Sequence, residues 1–154
     1  MFLYSIHEYL HGFPTPHIIM FVSMVAIQVF VMPYVMTENT GDVYFSVSQG
    51  YMGAFMGACM VLIEALMHPI PWWAVLLTIG VAVAAALGYR YQWFVSDDEY
   101  LHDMIPHHSM AIVTSAPRLR SADPFVRRLA QQISLNQTKE IITMKQQLRG
   151  REIK

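Results

Sequence analysis

The sequence predicts an all-α protein in which three transmembrane helices are followed by a two-helix hairpin domain. The composition is the first sign: 55% of residues are hydrophobic and only 14% charged, with a mean hydropathy of +0.35, a balance that fits the membrane class better than a soluble domain. Three apolar stretches of bilayer-crossing length are the second. The third is a change of pattern near residue 95, after which apolar residues recur at helical spacing among charges. These signs divide the chain into a membrane anchor, 1–95, and a hairpin domain, 96–154.

Residues 1–13 are aromatic, lack a basic leading region and a small-residue cleavage pattern, and read as an interfacial segment rather than a cleaved signal. Within them His7-Glu8-Tyr9-Leu10-His11 spells the zinc-protease pattern H-E-x-x-H. Gly12, Pro14 and Pro16 would break that helix at once, no third ligand follows, and two histidines at a membrane surface are the plainer reading.

The spans are expected at about 17–36, 43–67 and 72–94, each near the roughly 20 residues that cross a bilayer. Trp72 and Trp73 at one end of the third span, with Tyr89, Tyr91 and Trp93 at the other, match interfacial aromatic belts. His68-Pro69-Ile70-Pro71 is so short a link that spans two and three must be antiparallel neighbours. Gly53 and Gly57 form a small-xxx-small pair that admits a close helix and makes span two the central packing helix.

Two spans carry methionine ladders. Met20, Met24, Gln28, Met32 and Met36 recur every four residues, as do Met52, Met56, Met60, Glu64 and His68. Four residues overshoot a turn by about 40°, so each ladder drifts around its helix and packing is the favoured reading. Glu64 and His68, one turn apart in an apolar span, form a candidate intramembrane site because an ionisable group there is costly without a partner. The single cysteine, Cys59, cannot pair within the chain.

After Trp93, Ser96 and Glu99 stand at capping-box spacing and should start a helix. Pro106 removes a backbone donor from its interior and should kink it, and Pro117 should close it. Asp123 caps the last helix with Pro124 at its first position, and Gly150 should end it.

The chemistry concentrates in Asp103-Met104-Ile105-Pro106-His107-His108-Ser109-Met110-Ala111. Met104 lies three and four residues before His107 and His108, so all three can share a helical face. Thioether sulfur beside imidazole nitrogen suits Cu(I), whereas the same residues could also be a polar knuckle at the membrane surface. On the last helix Gln137 and Glu140 interrupt the apolar stripe Val126, Leu129, Ile133, Ile141, Met144 and Leu148, and polar groups there need partners. Folded back, Gln137, Glu140 and Met144 could face the Met-His-His cluster.

The pattern Asp-Met-Ile-Pro-His-His-x-x-Ala, then Asp-Pro, then Gln-x-x-Glu-Ile-x-x-Met, closely resembles the domain of unknown function 305 family over about residues 97–149. The resemblance implies a ferritin-like half bundle and copper-associated metal binding. The expected ligands are Met104, His107, His108, Glu140 and Met144. His102 and Met110 are possible outer members, and Asp103 and Gln137 could orient the imidazoles.

The expected function is a non-enzymatic, membrane-anchored binding protein for a soft transition metal, copper first, acting in buffering, handover or tolerance. Two rivals remain: a structural or oligomerisation protein without metal, and a ferritin-like metal oxidase, which would need a richer carboxylate set. The expected partners are the lipid bilayer, a metal ion and further copies of the chain, with no nucleic acid, because the basic residues share their helix with acids. All ten Lys and Arg residues lie at or after Arg90, which favours a cytoplasmic C-terminus, whereas the resemblance favours a cell-membrane protein with its hairpin outside.

Overall fold

A computed structural model describes residues 15–152, which contain helices and no strand. They form five long helices: α1 (Thr15–Met36), α2 (Val47–Met67), α3 (Trp72–Arg90), α4 (Asp97–Ser115) and α5 (Pro124–Glu152). The first three are long and apolar enough to cross a membrane. The chain divides into two compact units, one of residues up to Val29 with Ser48–Trp93, the other of Phe30–Val47 with everything from Phe94. Residues 30–47, which include the end of α1, thus cluster with α4 and α5.

In the first unit α2 is the central helix. A Cβ on Gly57 would come within 2.9 Å of the Phe21 ring and 3.1 Å of its carbonyl oxygen, and one on Gly53 within 3.2 Å of Val25 Cα, so both glycines admit the α1 backbone. On another side of α2 the Tyr51 ring covers Gly88 of α3, and its hydroxyl donates to the Trp93 carbonyl at 2.7 Å. Val61, Ile70 and Ala74 close the core, with Met20 and Phe21 packed against them.

Helix α3 stops at Arg90, four residues before the expected end at 94. Gln92 takes a left-handed φ of 53°, the Tyr91 amide donates to Leu87 at 2.8 Å, and the Trp93 amide reaches back to Gly88 at 3.0 Å. That is a Schellman closure with glutamine where glycine is usual. Helix α1 widens into a π turn at Ile27–Val31 just ahead of Pro33. A proline ring collides with the carbonyl four residues back, and a wider turn removes the collision.

In the second unit α4 and α5 form the expected hairpin around Ile105, Ile112, Ile141 and Leu148, with Tyr44, Leu101 and Met144 packed against them. Full burial of one such side chain contributes about 1.5–3 kcal/mol. Ser96 accepts from the Glu99 amide at 3.3 Å, but the Glu99 carboxylate completes no capping box and instead accepts from the Val47 amide at 3.0 Å. Asp123 caps α5 by accepting from the Phe125 and Val126 amides at 2.7 and 3.3 Å.

Two further boundaries depart from expectation, the start of α2 and the end of α5. Residues 43–46 are extended, so α2 starts at Val47 rather than 43, because this segment hydrogen-bonds to α4. Helix α4 runs through Pro106 without interruption and ends at Ser115, where Pro117 was expected to close it and a 3-10 turn at Ala116–Arg120 takes over. Gly150 does not end α5, which continues to Glu152, with Arg151 paired to Asp98.

The Gly57 contact with backbone leaves no room for adjustment. A Gly57→Leu variant should separate α1 from α2, lowering the thermal midpoint of the detergent-solubilised protein by several degrees, whereas Gly80→Leu, with open space around its Cβ position, should not. Circular dichroism melts of the two variants make the comparison.

Candidate functional site

Helix α4 turns Asp103, Ile105, Pro106, Ser109 and Ile112 inward. That orientation puts His107 outside and leaves His108 half-buried against α5. His108 Nδ1 lies 2.9 Å from Glu140 Oε2. The nitrogen is buried and makes no aligned hydrogen bond, so a nitrogen and an oxygen donor converge without satisfying each other. Two donors at this separation suit neighbouring positions on one ion with metal–ligand distances near ~2.1 Å. His107 Nε2 stands 3.9 Å from Asp103 Oδ2, too far for a hydrogen bond.

The remaining predicted ligands are less concentrated. Met144 packs on the isoleucine core, and His102 stacks on Tyr44 with ring centroids 5.0 Å apart and planes at 15°. Met104, Met110 and Gln137 are half-buried, and the Met110 carbonyl accepts from the Thr114 hydroxyl at 3.1 Å. Among the described residues no three His, Cys, Asp or Glu side chains converge as a metal cluster. A fuller site therefore needs methionine sulfur or donors from another copy.

In the first unit His68 Nδ1 meets Glu64 Oε1 at 2.7 Å. His7 and His11 of the H-E-x-x-H pattern lie outside the described residues.

The best-built polar cluster is one that sequence reasoning missed. Asp42, 4% exposed, accepts from the Ser109 hydroxyl at 2.8 Å and pairs with Lys145 of α5. Ser109 Oγ also accepts from the Glu38 amide at 2.8 Å. Ser46 donates to buried Asp103 at 2.8 Å. Together with the Glu99 contact, these bonds strap residues 38–47 across the hairpin. A signal was present: Ser109 shares a helical face with Ile105 and Ile112, and Lys145 with Ile141 and Leu148. Those two polar groups do lie on core-facing stripes, whereas Glu140, expected on such a stripe, is 54% exposed and Gln137 is half-buried.

Comparison with known proteins locates the hairpin. Residues 97–153 match the family described as domain of unknown function (DUF305). The chain is also similar to Uncharacterized protein L153 of Acanthamoeba polyphaga mimivirus, 32% identical over 141 residues that cover 84% of this chain and 92% of that relative. No solved structure matches the chain.

The strap's charge pair is asymmetric, since the Asp42 side chain is 6% exposed and that of Lys145 25%. Replacing Lys145 with Met strands the deeper charge and should destabilise the hairpin unit by about 2–3 kcal/mol, while Asp42→Asn with Lys145→Met should recover part of that loss. Hydrogen-exchange protection of α4 and α5 amides reads both effects.

Proposed function

The chain belongs to the family that carries the domain of unknown function 305, and on that premise we propose that it is a membrane-anchored binding protein for copper, acting in buffering, handover or tolerance. The observation that carries this reading is the buried, unsatisfied His108 Nδ1 at 2.9 Å from Glu140 Oε2, on two different helices of the hairpin. His107 adjoins that pair in sequence, and Met104 lies one turn before His108. Imidazole and carboxylate suit Cu(II), and thioether suits Cu(I), so copper is the metal common to both donor types. Methionine 144 would have to leave its core packing to join the set, which makes Met104 the better sulfur donor. A second copy of the chain supplies the donors that one hairpin lacks, in keeping with a four-helix bundle built from two hairpins.

The reading that makes the hairpin a docking element without metal draws support from Met144 and His102, both engaged in packing. Elemental analysis of the purified full chain after copper loading separates the two. Copper should be retained in a species of at least two chains by light scattering. His108→Ala or Glu140→Gln should each weaken binding by about tenfold or more, a loss near 1.4 kcal/mol. Retention of copper by both variants at parental affinity would move the site elsewhere.

The hairpin lies on the extracytoplasmic side in this proposal. Arg90 is the basic residue flanking a span and favours the opposite orientation, so the point rests on the metal-handling role. A cysteine introduced at Gly150, in a Cys59→Ala background, should react with an impermeant maleimide in intact cells. Reaction only after lysis contradicts this orientation.

A further inference from the structure

The methionine ladders of α1 and α2 acquire a meaning in the structure that neither has on its own helix. Phe21 lies beside Gly57, and Val25 beside Gly53, so the helices are antiparallel and a step of four up α1 matches a step of four down α2. The same register sets Met24 beside Met56 and Met20 beside Met60, each pair two residues, or about 3 Å of rise, out of step. Below them Gln28, whose Cβ lies 3.3 Å from the Cβ position of Gly53, stands beside Met52 with the same offset.

The rows also share a side. Met56 and Met60 stand one residue before and three after Gly57, and Met20 and Met24 bear the same relation to Phe21. Each offset turns the side chain about 60–100° from the seam. On antiparallel helices equal offsets in the same sequence sense point to the same side of the pair. Helix α3 takes the other side, through Tyr51 against Gly88 and Val61 against Ala74, and Met20 also packs on that Val61–Ala74 cluster, which leaves Met24, Met56 and Met60 on the open side. Met56 and Met60 accordingly remain 39% and 38% exposed, whereas Val61 is 1% exposed.

The drift of about 40° per step, which spoils a row on a single helix, cancels here. As one row turns toward the seam, the facing row turns away by the same amount, and the midpoint between them stays on the open side. The close approach permitted by Gly53 and Gly57 keeps the two rows near each other. Farther along α2 the row continues to Glu64 and His68, already paired at 2.7 Å.

We propose that the paired methionine rows of α1 and α2 form a thioether track that binds soft monovalent cations, Cu(I) or Ag(I), at membrane depth. Thioethers carry no charge and no proton to lose, so they are inexpensive to hold among apolar side chains. Their softness selects Cu(I) and Ag(I) over Zn(II) and Mg(II). The track is separate from the hairpin pair and does not depend on it.

The test uses the full chain in lipid nanodiscs with Ag(I), which needs no reductant, as the probe. A His107→Ala/His108→Ala variant should still bind Ag(I), with sulfur-only coordination by X-ray absorption. Adding Met20→Leu, Met24→Leu, Met56→Leu and Met60→Leu should abolish that residual binding, because leucine keeps the volume and removes the sulfur. The smaller change Met24→Leu/Met56→Leu, which leaves more of the packing intact, should weaken it about tenfold. Circular dichroism checks that each variant keeps its helices. The proposal is overturned if the double His variant binds no Ag(I), a result that leaves the hairpin reading standing, or if the leucine variants bind it as tightly as their parent. Equal binding by the double His variant and the wild type, lost on leucine substitution, supports the track and removes the hairpin reading.

Discussion

The buried carboxylate of Asp42 is the constraint on which the second unit depends. It sits on a 3-10 turn of the connector and meets a hydroxyl from α4 and an ammonium from α5, so one side chain ties three chain segments together. A two-helix hairpin of this size cannot cover both sides of its own seam. The connector supplies part of the missing cover: Tyr44 packs on the isoleucine core, Ser46 and the Val47 amide bond to α4, and the Glu38 amide closes onto Ser109. The folded domain is therefore a hairpin plus a strap that the chain lays down before its second span.

That arrangement shapes the candidate site. Asp103 spends one carboxylate oxygen on Ser46, which fixes the face of α4 toward the core, and the same turn then sets His107 outward and His108 against Glu140. Polar contacts on the buried face are satisfied by the strap, whereas His108 Nδ1 at the edge makes no aligned hydrogen bond and the Glu140 carboxylate beside it is exposed. A buried nitrogen without an aligned partner is costly, and a ligand that both donors can bind recovers part of that cost.

How much was legible in the sequence follows from which rule governs each part. Apolar length and aromatic flanks marked three helices that are long and apolar enough to cross a membrane, because that property is written in the sequence itself. Asp123 followed by Pro124 gave the start of α5, since capping is local chemistry. Gly150 misled because glycine permits a left-handed cap without requiring one, and here the helix continues to Arg151, which reaches Asp98. The early end of α3 was hidden because Gln92 occupies a backbone state that sequence usually marks with glycine. Asp42 was hidden for a different reason: its partners lie far along the chain, and a lone acid in a short link looks like a solvated turn.

Methionine shows most clearly where pattern stops and structure must decide. Met144 and Met24 both lie on helices at regular spacing, and nothing local to either separates a packing role from a binding one. Met144 is half-buried and packs on the isoleucine core of the hairpin, where its flexibility fills space. Met24 stands beside a second thioether across a glycine-lined seam, on the side that α3 leaves open. The same side chain is filler in one unit and a candidate donor in the other, and what distinguishes them is the antiparallel register of the neighbouring helix.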